Sequence, residues 1–74
     1  MTIFFKNSNG DRRTIGEALS FSDATKIVSD FLKEHNYKSY YQRYWYLEDT
    51  RELMIDVGSH TEFFIIKDWD GKYE

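Results

Sequence analysis

Seventy-four residues with no Cys and no Pro, but with two Trp, six Tyr and six Phe, leave room for one domain spanning 1–74. A chain this short hides only ~60% of its unfolded surface, so its core must be dense, and without Cys it has no disulfide, thiolate metal site or thiol nucleophile. Ten Lys+Arg against 13 Asp+Glu, a net charge of −3, disfavour a generic nucleic-acid module, whose affinity comes from neutralising phosphates.

The first element is the β-rich run Thr2 to Lys6, followed by Asn7-Ser8-Asn9-Gly10-Asp11. Asn9-Gly10 is the preferred pair for a type I′ hairpin, because both central residues of that turn need a positive φ. With that turn Phe5 faces Thr14, Phe4 faces Ile15 and Ile3 faces Gly16, and Arg12 to Ala18 is the second strand. Gly16 weakens this strand or marks a bulge.

Ser20-Phe21-Ser22-Asp23 supplies a helix start, with Ser20 or Ser22 as cap and Asp23 in the positive first turn. Ala24, Ile27, Val28, Phe31 and Leu32 follow at helical spacing and form one apolar stripe. Lys26, Ser29, Asp30, Lys33 and Glu34 take the water side, and His35-Asn36 closes the helix.

Three strand-like runs come next. Tyr40 to Leu47 carries rings on both faces, and Glu48 to Arg51 is a polar turn. Glu52 to Val57 alternates, with Leu53, Ile55 and Val57 on one side. A Gly58-Ser59 turn of type II′ pairs Leu53 with Phe64 and Met54 with Phe63 in the last strand, Glu62 to Lys67. The expected fold is α+β: an antiparallel sheet of four to five strands, order β-β-α-β-β-β, with one amphipathic helix on one face.

One helix cannot cover both faces of such a sheet, and that limit directs the functional reading. An even loop at 48–51 opposes Tyr46 to Leu53 and Tyr44 to Ile55 and leaves Trp45 outside with Arg43. Tyr, Trp and Arg are enriched among interface anchors because they offer large, rigid contact area. The candidate partner-binding residues are therefore Tyr41, Arg43 and Trp45, with Glu48, Asp49 and Asp56 steering an approaching partner. The competing expectation is that the polar tail, through Trp69 and Tyr73, folds back over these rings.

Other chemistries find less support. A base-stacking sheet face needs a basic surround, whereas acidic residues neighbour these rings and no Lys/Arg-Gly-Phe-Gly-Phe run is present. His35 and His60 suit a helix end and a turn, and no zinc-ligand spacing accompanies them. Asp68-Trp69-Asp70-Gly71 has the opening of a calcium loop without its later ligands. Adjacent strand residues such as Ser59-His60 point apart, so neither an enzyme nor a cofactor is expected. Glu48, Asp49, Glu52, Asp56, Glu62, Asp68 and Asp70 together suggest an acidic patch that mimics phosphates, or a solvated sheet edge.

No membrane-length apolar run and no secretory signal are evident, so a cytoplasmic protein is expected. In size, acidity, α+β pattern and lack of Cys or Pro the whole chain resembles small accessory proteins of Gram-positive phages and mobile elements, the anti-CRISPR and anti-defence inhibitors among them. That resemblance implies a stoichiometric inhibitor that binds a host protein. A homodimer through the open sheet face is compatible with the same rings. The alternatives are a nucleic-acid binder using the aromatic face and a toxin-neutralising immunity protein.

Overall fold

The structure is a computed structural model that describes residues 1–37, 41–59, 61–69 and 71. Its elements are β1 (Thr2–Lys6), β2 (Arg12–Glu17), α1 (Phe21–Glu34), β3 (Arg43–Leu47), β4 (Glu52–Asp56) and β5 (Phe63–Lys67). The five strands make one sheet in the order β2-β1-β5-β4-β3, and every neighbouring pair is antiparallel. Pairing of the first strand with the last joins the N-terminal hairpin to the β3-β4-β5 meander, and the expected α+β class and element order hold.

The hairpin differs from the type I′ expectation. Gly10 takes a φ of 87°, but Asn9 does not share the left-handed conformation, and Gly10 N donates to Asn7 O at 3.0 Å. Asn7 Oδ1 accepts from the N–H groups of Asn9 and Asp11, at 2.9 and 3.1 Å, which fixes a longer loop. Phe5 therefore faces Arg13 and Phe4 faces Thr14, one residue off the expected register. An irregularity between Ile3 and Phe4 leaves Ile15 unopposed and restores the expected pairing of Ile3 with Gly16.

The helix forms where the capping and periodicity place it. Ser20 Oγ accepts from Asp23 N at 3.2 Å, and Asn36 adopts the left-handed conformation (φ 60°) just past His35. Ala24, Val28, Phe31 and Leu32 are buried against Ile3, Leu53, Ile55, Val57, Phe64 and Ile66. Phe31 sits 4.8 Å from Phe5 and 5.4 Å from Phe64, and Phe21 meets Tyr44 edge-on at 5.0 Å. Gly16 lets α1 approach β2, since a Cβ there would lie 3.2 Å from the Ile27 side chain. Each fully buried aliphatic or Phe side chain contributes ~1.5–3 kcal/mol, so this layer supplies most of the stability.

The meander also corrects the sequence reading. The strand expected over Tyr40–Leu47 begins at Arg43, and Tyr40 lies outside the described residues. The 48–51 turn is even, as one of the two alternatives requires: Tyr46 faces Leu53, Tyr44 faces Ile55 and Trp45 faces Met54. The β4–β5 link is longer than a two-residue turn, so Leu53 pairs with Ile66, not Phe64, and Met54 pairs with Ile65, not Phe63. Side-chain acceptors hold that link: Asp56 Oδ1 takes Gly58 N at 2.9 Å, and Ser59 Oγ takes the N–H groups of Thr61 and Glu62. The register error is two residues, which leaves every side chain on its expected face.

Candidate partner-binding face

Alternation and register define the face turned away from α1 as three rows across the sheet. One row runs Glu17, Thr2, Lys67, Glu52, Leu47; the middle row runs Thr14, Phe4, Ile65, Met54, Trp45; the third runs Arg12, Lys6, Phe63, Asp56, Arg43. The middle row is apolar from Phe4 to Trp45, with Phe63 beside it. Ile65 at its centre is fully buried although α1 packs on the opposite face.

An ion pair lies across this row. Arg12 on β2 donates to Glu52 on β4 at 2.7 Å, with a second, longer contact of 3.4 Å to the other carboxylate oxygen. Arg12 belongs to the third row and Glu52 to the first, so the pair crosses the middle row above β1 and β5. Glu52 is buried, and the Arg12 hydrogen bond holds its carboxyl below the ordinary 4.5 despite that burial. Phe4, Met54 and Phe63 around it are half-buried.

The β3 end of the face is different. Trp45 is 41% exposed and meets Phe63 edge-on at 6.2 Å. Arg43 donates to Asp56 Oδ2 at 2.7 Å, and its guanidinium lies 5.1 Å over the Tyr41 ring. The hydrogen bond to Asp56 keeps Arg43 firmly protonated. Tyr41 packs in turn on Gly58 (φ 91°), where a Cβ would come 3.2 Å from the ring. Tyr41, Arg43 and Trp45, singled out from the sequence, thus gather at one end of the face, with Tyr41 placed just before the strand.

The three acidic candidates separate. Glu48 and Asp49 are exposed in the turn after Leu47, at the other end of β3 from Tyr41. Asp56 is buried, with one carboxylate oxygen bound to Arg43 and the other to Gly58 N. Its charge orients Arg43 within the chain. The wider acidic patch is divided in the same way: Glu52 binds Arg12, Glu62 accepts from the Tyr37 hydroxyl at 2.7 Å, and Asp70 lies outside the described residues.

Trp69 packs against the core. It packs at 5.5 Å from Tyr46, on the helix side of the sheet, so the expected cover over Trp45 does not come from that ring. Tyr73 lies outside the described residues.

Sequence reasoning missed Arg12 and Ile65 as parts of this face and named Glu52 only as a member of the acidic patch, not as the partner of Arg12. A signal existed in Phe63-Phe64-Ile65-Ile66, four consecutive apolar residues, which is the pattern of a strand buried on both faces. The partner of Arg12 had no such signal, because the pair joins residues 40 apart.

Among the described residues no three His, Cys, Asp or Glu groups converge as a metal site, and His60 lies outside them. His35 stacks on Phe31 at 3.9 Å, its Nδ1 2.9 Å from Phe31 O. A hollow of about 170 Å³ between α1 and β2, lined by Ile15, Ile27, Asp30, Phe31 and Glu34, is smaller than the ~300–1,000 Å³ of typical small-molecule sites. No helix among the described residues is long and apolar enough to cross a membrane. Comparison with family models, curated proteins and solved structures finds no match to this chain.

Proposed function

We propose that the chain is a non-catalytic protein-binding module that engages its partner with the open sheet face, Trp45 being the anchor and Tyr41 and Arg43 its neighbours. The observation that carries this reading is the exposure of Trp45 at the end of an apolar row that is otherwise half-buried or buried. A large ring set against a rigid sheet loses little entropy on binding, and Arg43, already held by Asp56 and Tyr41, is pre-organised in the same way. Glu48 and Asp49 are the exposed carboxylates nearest the Leu47 end and would act on the association rate.

The charges on the face favour a protein over a nucleic acid. Arg12 and Arg43 are both committed to carboxylates, so phosphate contacts would have to displace Glu52 and Asp56. Division of the acidic residues into internal pairs also weakens the phosphate-mimic idea. Within the class it resembles, the chain would be a stoichiometric inhibitor of a host protein, acting in the cytoplasm by occupying a surface.

Affinity capture from an extract of the source organism tests the reading, with wild type and Trp45→Ala run side by side. Retention of a protein by wild type and its loss with a Trp45→Ala chain of unchanged circular dichroism supports it. Equal retention by both chains refutes Trp45 as the anchor, and tight, salt-sensitive shifting of an oligonucleotide would replace the protein partner with a nucleic acid.

A further inference from the structure

The two edges of the sheet are built differently. The β2 edge carries a bulge at Ile15, a glycine at 16 and the adjacent arginines Arg12 and Arg13. Bulges and charged residues are the devices by which edge strands resist pairing with another chain. The β3 edge, Arg43-Tyr44-Trp45-Tyr46-Leu47, has no bulge in its register with β4, no Pro and no charge after Arg43. Among the described residues it pairs with β4 alone, and Tyr44, Trp45 and Tyr46 are 36%, 41% and 41% exposed. A regularly paired, exposed aromatic edge of this kind is a template for strand addition.

We propose that β3 pairs antiparallel with β3 of a second copy of this chain, about a two-fold axis through Trp45. The sequence around Trp45 is its own complement under that symmetry. Trp45 of one copy faces Trp45 of the other, and Tyr44 faces Tyr46, giving the aromatic cross-strand pairs that stabilise antiparallel sheets. The charges agree as well: Arg43 opens the strand and Glu48-Asp49 follow its end, so the antiparallel copy sets Arg43 opposite Leu47 and next to Glu48 of its neighbour. A parallel copy would set Arg43 beside Arg43. The Arg43 side chain is 68% exposed, and among the described residues its guanidinium has one carboxylate partner, Asp56, so N–H donors remain for a neighbouring acidic group.

The symmetry has two consequences. Both open faces lie on the same side of a ten-stranded sheet, with the two Trp45 rings at its centre. Assembly stops at two copies, because the outer edges are then the bulged, arginine-bearing β2 strands.

Sedimentation of the wild-type chain from low micromolar to near-millimolar concentration tests the dimer, the expected result being a reversible monomer–dimer equilibrium with no larger species. Leu47→Lys, which sets like charges opposite Arg43 twice per dimer, is expected to weaken association roughly tenfold or more. The register is read by cysteine cross-linking, since the chain has no Cys of its own. Trp45→Cys should oxidise to a covalent dimer much faster than Thr14→Cys on the blunted edge, and a mixture of Tyr44→Cys and Tyr46→Cys chains faster than either alone. Should Trp45→Cys fail to fold, the Tyr44→Cys and Tyr46→Cys mixture reads the same register. A monomer at every concentration, or equal cross-linking at positions 45 and 14, overturns the proposal. A monomeric chain that still captured a partner through Trp45 would overturn the dimer and leave the partner-binding reading standing.

Discussion

Arg12 and Glu52 are hydrogen-bonded at 2.7 Å although they stand on strands separated by two others, β1 and β5. A pairing of this reach serves the face that α1 leaves uncovered. Arginine combines a long apolar stem with a charged head, so it can shield a ring or an aliphatic chain and still satisfy a carboxylate. Here the middle row beneath the pair holds Ile65 fully out of water. The sheet thus has a large core under the helix and a thin second one under an ion pair.

Arg12→Ala is expected to destabilise the chain by about 1–2 kcal/mol, because it strands the buried Glu52 carboxylate and uncovers apolar surface. The value is set below that of a fully buried pair because Arg12 itself is 44% exposed and screened by water. Thermal melting checks it; for a domain of this size the shift is roughly 4–8 °C per kcal/mol. A double-mutant cycle with Glu52→Gln should return a non-zero coupling, and additivity would mean that the two residues act independently.

The same pair predicts the acid limb of the stability curve. The folded Glu52 carboxyl titrates below its ordinary 4.5, so between the folded and unfolded values the unfolded chain binds the extra proton. Its contribution is complete above about pH 4.5 and is lost as the pH falls through the lower, folded value. Glu52→Gln should flatten that part of the denaturation profile while leaving the slope above pH 6 unchanged.

Tyr37 predicts the alkaline limb. Burial, then the hydrogen bond to Glu62 and its negative charge, pushes the phenol up to about 12 from 10.0. A raised value means stability that is fully present below pH 10 and lost as the pH rises towards 12. Tyr37→Phe should remove this fall, as read by urea midpoints across the range. An unchanged alkaline slope would assign the loss to other groups.

Much of this architecture was legible in the sequence, for a physical reason that also explains the errors. The helix was readable because cap, stripe and C-terminal Asn all lie in one contiguous stretch, Ser20 to Asn36, and need no long-range partner. In the β3–β4–β5 meander faces were readable because strand alternation has period two, and an error of two residues at the 57–62 link changes no face. In the hairpin the one-residue slip put Arg12 and Thr14 on the opposite face from the one expected. Loop lengths were not readable. Asn7, Asp56 and Ser59 bind nearby backbone N–H groups and lengthen turns that the Gly-containing dipeptides alone make look tight. The Arg12–Glu52 pair depends on the β1–β5 junction, which no local pattern encodes.

Gly58 is the one turn glycine whose replacement should reach the candidate site. Its φ of 91° disfavours any side chain, and a Cβ would meet the Tyr41 ring at 3.2 Å. Gly58→Ala is therefore expected to cost about 1–2 kcal/mol and to shift Tyr41 from beneath Arg43. Tyrosine ring resonances in NMR spectra would register the shift, and an unmoved Tyr41 ring would mean that the loop has yielded instead.

Trp45 and Ile65 belong to one row of one face, yet they should respond to truncation in opposite ways. Ile65 is fully buried, so Ile65→Ala removes transfer free energy and leaves a cavity, for an expected loss of about 2–4 kcal/mol. Trp45 keeps 41% of its surface in water at the edge of the sheet, meets Phe63 edge-on and is paired with Met54 on β4. Trp45→Ala should cost about 1–2 kcal/mol in monomer stability, less than Ile65→Ala, measured at a concentration where sedimentation shows the monomer. Binding should invert the order: Trp45→Ala abolishes capture of the partner, and Ile65→Ala preserves it at temperatures where the chain remains folded. A Trp45→Ala chain as unstable as Ile65→Ala would place the indole in the second core, and its exposure would then follow from the edge position and not from a binding role.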